Sequence, residues 1–120
     1  MKSVVSGCPI EEVMVVLSGR WPTLLLYYLQ QGTRRFGELR KDNPSISHRM
    51  LTLELRKLEA AGLVERTQYP GYPSRVEYRL SESGREVLPL IEALGGWWEA
   101  TRAAREATRQ ERSATQGMAC

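Results

Sequence analysis

The chain is 120 residues long, enough for one compact domain and too short for two ordinary cores. Hydrophobic residues make up 42% and charged residues 26%, the balance of a folded globular protein rather than a disordered one. Seventeen Lys and Arg against fourteen Asp and Glu leave a net charge of +3, which permits a polyanionic partner without requiring one.

One histidine, His48, and two cysteines, Cys8 and Cys120, are too few for a zinc site of the usual Cys/His type, so neither metal nor cofactor is expected. Nucleophilic chemistry has only a Cys8–His48 pairing to draw on, forty positions apart, and no G-x-S-x-G or phosphate-cradling glycine loop is present. No catalytic residue is therefore assigned, and the protein is not expected to be an enzyme. The longest apolar runs, Val13–Leu17 and Leu24–Leu29, fall far short of the ~20 residues of a membrane helix, so no membrane partner is expected. Val5-Ser6-Gly7-Cys8 has the outline of a lipoprotein cleavage box. Only Ser3-Val4-Val5 separates it from Lys2, against the ~7 to 15 apolar residues of a signal peptide. The expected location is the reducing cytoplasm, where two distant cysteines form no disulfide framework.

In chain order, Ile10, Val13, Met14 and Leu17 recur at i, i+3, i+4, i+7, predicting a helix from Cys8 to about Ser18-Gly19. Pro9 suits its first position, and Glu11 and Glu12 suit its first turn. Pro22 opens a second helix, apolar nearly all round through Leu29 and closed by Gly32, which predicts a central place in the fold. A short third helix is predicted from Phe36 to about Lys41, before Pro44. Ser47 caps a fourth, with Leu51, Leu55 and Leu58 as its core stripe and Gly62 as its stop.

Two strands follow, Leu63–Tyr69 and Arg75–Leu80. The second alternates Val76, Tyr78 and Leu80 with Arg75, Glu77 and Arg79. The Pro- and Gly-marked turn between them makes the pair a hairpin. Ser81 caps a last helix in which Val87, Leu88, Ile91, Leu94, Trp97 and Trp98 keep helical spacing. Gly95-Gly96 weakens its middle by roughly 1 kcal/mol per glycine yet permits close approach of another helix. The alanines at 100, 103, 104 and 107 continue the period. The fold class is thus mainly α with a small β-hairpin wing, a winged helix-turn-helix. Its parts are an N-terminal arm (1–7), the winged domain (8–98), a helical extension (99–112) and a flexible tail (113–120).

Between Thr33 and Lys57, seven basic residues stand against three acidic ones, a net +4, so the rest of the chain nets −1. The basic excess sits on the proposed helix-turn-helix, where a phosphate backbone would be met. On the fourth helix Arg49, Thr52 and Arg56 lie opposite the leucine stripe, with His48 at the edge. Arg pairs bidentately with guanine, and Thr offers a hydroxyl and a methyl. An ordinary solvated face would explain that helix in isolation. Charge placement, the preceding short helix and the following hairpin together favour a DNA-facing surface. At the wing Arg75 reads equally as a phosphate or minor-groove contact and as an exposed strand-end arginine.

Cys8-Pro9-Ile10, Gly19-Arg20-Trp21, Arg35-Phe36-Gly37-Glu38-Leu39 and Ile46 to Thr52 form an ordered series. Leu55 to Glu59, Gly62 to Arg66 and Arg75-Val76-Glu77-Tyr78 extend it. The series resembles the HxlR family of bacterial transcriptional regulators, relatives of the MarR-type winged helices, over roughly residues 8 to 98. The resemblance implies a homodimer on a pseudo-palindromic operator of double-stranded DNA, acting as a repressor at the nucleoid. Ser47, His48, Arg49, Thr52 and Arg56 would lie on its recognition helix, with Arg35 just before the helix-turn-helix and Arg75 at the wing. Several members of the family sense thiol-reactive or oxidising compounds through a cysteine at the position of Cys8, which makes Cys8 a candidate sensor. Two positions depart from the pattern. Leu53 stands where a polar residue such as Gln is common, either touching thymine methyls or lying near the core edge, and Arg20 replaces a frequent Lys.

Leu90, Ile91, Leu94, Trp97 and Trp98 make an apolar face larger than a domain of this size fills internally. They are the expected dimer interface, together with the first helix. Three alternatives stay open from sequence: an inert Cys8, a small apolar effector in the dimer groove, and a winged module for protein–protein contact anchored by the tryptophans.

Overall fold

The computed structural model describes residues 7–119, with side chains described from 7 to 112. Cys120 and most of the arm lie outside the described residues. The chain divides into two compact units, one ending at Leu88 and one beginning at Pro89.

In the first unit, α1 (Pro9–Leu17) starts with Cys8 as N-cap and the proline in its first turn, and ends when the Ser18 N–H donates to Met14 O at 2.8 Å. Its apolar stripe forms as predicted, yet none of its residues is buried, and Ile10 is 65% exposed. α2 (Trp21–Gln30) buries Pro22, Leu25, Leu26 and Leu29, which is less than its composition predicts. Leu24 and Tyr27 remain about two-fifths exposed, because α3, α4 and the sheet cover one side of α2 and α1 packs on it thinly.

α3 (Phe36–Asp42) and α4 (His48–Ala60) form the helix-turn-helix. Asn43, buried at the C-terminus of α3, locks the turn between them. Its side-chain amide donates to Leu39 O at 3.0 Å, and its own carbonyl accepts from the Ile46 N–H at 3.1 Å. Ser47 caps α4 by accepting from the Met50 N–H at 3.0 Å. At the far end Gly62 takes φ +78°, Leu63 N–H reaches Leu58 O, and Gly62 N–H reaches Glu59 O. That is the paired closure expected when glycine follows a helix, and it turns the chain directly into the wing.

The wing strands are β2 (Val64–Tyr69) and β3 (Arg75–Leu80), antiparallel from Val64 opposite Leu80 to Tyr69 opposite Arg75. A third strand joins them where sequence predicted a two-stranded hairpin. β1 (Arg34–Arg35) pairs with the other edge of β3, Arg34 opposite Tyr78 and Arg35 opposite Glu77, giving the order β1-β3-β2. Two residues are too few to show any period. The pairing satisfies backbone groups that β3 would otherwise leave open along that edge. Tyr78 and Leu80 face inward and close the core with Val64, Leu39, Ile46, the three α4 leucines and Leu88.

α5 (Glu82–Ala100) begins where Ser81 accepts from the Gly84 N–H at 3.0 Å and donates to Gly62 O at 2.5 Å. Gly84 packs so tightly that an added Cβ would lie 2.1 Å from Leu63 O. Pro89 interrupts the helical bonding at the division between the units. The predicted single last helix is two: α6 (Arg102–Ala119) follows after Thr101 and carries the helix through the segment read as extension and tail. The Thr101 hydroxyl donates to the carbonyls of Trp97 and Trp98, and Trp97 O also keeps the Thr101 N–H at 3.1 Å. Among the described residues nothing lies within 4 Å of a Cβ built on Gly95 or Gly96.

Candidate nucleic-acid interface

Two adjoining grooves run between the helix-turn-helix and the wing, sharing Phe36 and Val76. The larger, 660 Å³, has Arg35 and Arg75 in its lining, with Phe36 and Tyr69 as aromatic walls and no carboxylate. The smaller, 490 Å³, brings His48, Thr52 and Arg56 of α4 together with Arg66 of β2. Five of the sequence-predicted DNA-binding residues thus line this surface. Ser47 and Arg49 do not, although both are exposed on the first turn of α4.

Local structure sets what each side chain can offer. Ser47 Oγ is occupied as a cap acceptor. Thr52 donates its hydroxyl proton to His48 O at 2.9 Å, so its outward chemistry is a methyl and a lone pair rather than a donor. His48 stacks on Phe36, ring centroids 4.7 Å apart, bracing the start of α4 against α3. Arg35 is the N-cap residue of α3, and its N–H donates to the Glu38 carboxylate at 2.8 Å. Arg75 lies over the Tyr69 ring at 4.4 Å and pairs with Glu77 at 3.4 Å, which holds it at the turn end of the wing.

Two of the local acids are already engaged, while Glu59 places an exposed carboxylate in the lining of the smaller groove. Asp42 faces Arg34 at 4.0 Å, and Glu54 pairs with Lys57 at 3.2 Å. On the outer sheet face Glu65 accepts from Arg79 at 2.7 and 3.1 Å, and this hydrogen bond, with the charge behind it, raises the Arg79 pKa. Among the described residues Arg35, Arg40, Lys41, Arg49 and Arg56 take part in no ion pair. The basic excess therefore remains available to an external anion.

Sequence reasoning missed Phe36, Tyr69 and Arg66 as parts of this surface, and Asn43 as the lock of the turn. Arg66 was recoverable from register, since it stands opposite Tyr78. For Asn43 no sequence signal separates a buried turn lock from a surface loop residue.

The second unit carries the apolar residues expected at a dimer interface. Leu90, Leu94, Trp97 and Trp98 are all more than half exposed, and Ile91 is half-buried. Trp97 and Trp98 share a 560 Å³ groove with Arg105, Arg109 and Arg112, and the Arg105 guanidinium stacks 3.3 Å from the Trp98 ring. Cys8 is exposed at the N-cap of α1. Among the described residues there is no group of three or more metal-ligating side chains, and no helix is long and apolar enough to cross a membrane.

Two consecutive helices, a locked turn and a basic wing define a winged helix-turn-helix, the architecture of a DNA-binding transcription regulator. The pattern of the HxlR-like helix-turn-helix matches residues 16–106, and the chain belongs to the HxlR family. The match continues past Trp98, where the recognisable motifs stop, into the first turns of α6. The uncharacterized HTH-type transcriptional regulator YybR of Bacillus subtilis (strain 168) is 44% identical over 103 residues, covering 86% of this chain and 82% of its own. Among solved structures, the redox regulator HypR in its reduced form superposes with a TM-score of 0.74 at 42% identity, over 83% of this chain and 99% of that one. The reduced transcriptional regulator YodB of B. subtilis gives 0.70 at 33% identity, over 77% and 91%. This protein is accordingly an HTH-type transcriptional regulator.

Proposed function

We propose that the protein is a homodimeric repressor that binds a pseudo-palindromic operator in the cytoplasm, with no catalytic role. The observation that carries the reading is the pair of arginine-lined grooves beside the helix-turn-helix, in which Arg35, Arg56 and Arg66 take part in no ion pair among the described residues while Asp42 and Glu54 are engaged. Arg49 and Arg56 then face the major groove and its walls, with Ser47, His48 and Thr52 on the same helix. Arg35 and Arg75 take phosphates along the larger groove at the wing. Two copies join through α1 and α5, whose apolar residues stay exposed in the single chain, and place their α4 helices about one DNA turn, ~34 Å, apart.

Cys8 serves as a redox or electrophile sensor on this reading. Its support is an exposed thiol at a helix N-terminus together with similarity to HypR and YodB, of which HypR is described as a redox regulator. DNA fragments selected from the genome by the protein give the operator, and binding to it is measured before and after mild oxidation in wild type and Cys8→Ser. Affinity that changes on oxidation in wild type alone supports the sensor. An equal response in both proteins removes Cys8 from that role, and binding that ignores salt and sequence removes the operator reading altogether.

A further inference from the structure

Leu53 is 48% exposed on α4, and Met50, one turn before it, is 39% exposed. Isolated exposed leucines are common and by themselves mean little. The position of this one is informative. At 3.6 residues per turn, Leu53 and Arg49 both fall within about 30° of the direction opposite the core leucines Leu51, Leu55 and Leu58. Leu53 is therefore not at the edge of the core. It occupies the centre of the exposed face, one turn beyond Arg49 and flanked by Arg56 and Lys57.

We propose that Leu53 is a specificity-determining residue that reads the 5-methyl group of a thymine, alongside a guanine read by Arg49; this rests on α4 being the recognition helix. An aliphatic side chain donates and accepts no hydrogen bonds. On the major-groove edge of a base pair, the one feature it can favour is the thymine methyl. Met50 widens the apolar surface, and Thr52, its hydroxyl proton committed to His48 O, adds no competing donor. Four residues of helix rise about 6 Å, which spans about two base steps of ~3.4 Å. The guanine and thymine should therefore lie about two base pairs apart in each half-site.

The test replaces each thymine of the selected operator in turn by deoxyuridine, which differs only in lacking the methyl. Wild type should bind about four-fold more weakly when the contacted thymine of one half-site is replaced, and about fifteen-fold more weakly when both are. Leu53→Gln should lose that sensitivity, and sites selected afresh with it should favour adenine at the same position, since Gln pairs bidentately with adenine. The inference is overturned if wild type binds the operator tightly and ignores every uracil, or if Leu53→Gln keeps the same uracil response. It is also overturned if Leu53→Gln changes the assembly state in sedimentation while no uracil matters, because the leucine would then join copies of the chain. Failure to select any operator would sink the recognition-helix reading and this inference together.

Discussion

Removing one guanidinium from the groove gives a direct measure of where the DNA backbone runs. Arg56 lines the 490 Å³ groove, is exposed, and makes no ion pair among the described residues, so Arg56→Ala should leave the fold and its partners intact. In the proposed dimer Arg35, Arg56 and Arg75 supply about six phosphate contacts, which sets the slope of log K against log salt near −5. Raising salt from about 50 to about 200 mM should then weaken wild-type binding roughly a thousand-fold. Arg56→Ala removes about two of those contacts and should flatten the slope by about 2, with a comparable loss on any duplex sequence. Fluorescence anisotropy of labelled operator and unrelated duplexes across a salt series reads both quantities. A slope unchanged from wild type would show that Arg56 lies away from the phosphates, and the placement of the backbone in this groove would be wrong.

Arg49→Ala should behave differently, leaving the salt slope nearly intact while relaxing base preference at one position per half-site by about 1–3 kcal/mol, as read by competition with mutated operators. Gly84→Ala should destabilise the fold by about 1–3 kcal/mol, because its Cβ would meet a backbone carbonyl 2.1 Å away; thermal melts check it, and an unchanged Tm would contradict that packing. Asn43→Ala should cost about 0.5–1.5 kcal/mol in urea unfolding, because Leu39 O loses its side-chain donor but keeps the residue 43 N–H, and the helix-turn-helix loosens. Trp98→Ala should shift the assembly toward monomer in sedimentation equilibrium and weaken operator binding with it. A stable dimer would place the interface elsewhere.

The helices were legible because their signals are local. Pro9, Ser47, Gly62 and Ser81 act within a few residues through caps and backbone conformation, and each does in the structure what its chemistry predicts. The leucine stripe of α4 is likewise a matter of period, and all three of its members are buried. β1 escaped notice because it is defined only by its partner strand. The break at Thr101 falls where Trp98 O accepts from the Thr101 hydroxyl and the Arg105 guanidinium, side-chain bonds that hydrophobic spacing does not register.

For the candidate site the division is similar. The net charge of +3 says little as a total, while its placement, +4 between Thr33 and Lys57, was readable directly from the chain. Which of those charges stay available was not readable, since Asp42 and Glu54 are withdrawn by side-chain geometry. Nor could periodicity bring Arg35 and Arg75 into one groove, because they are far apart in sequence and meet only when β1 closes on β3. Local propensity, capping and charge order were set by neighbours along the chain. Grooves, exposure and the outward place of Leu53 were decided by contacts between distant residues, which exist only once the core has formed.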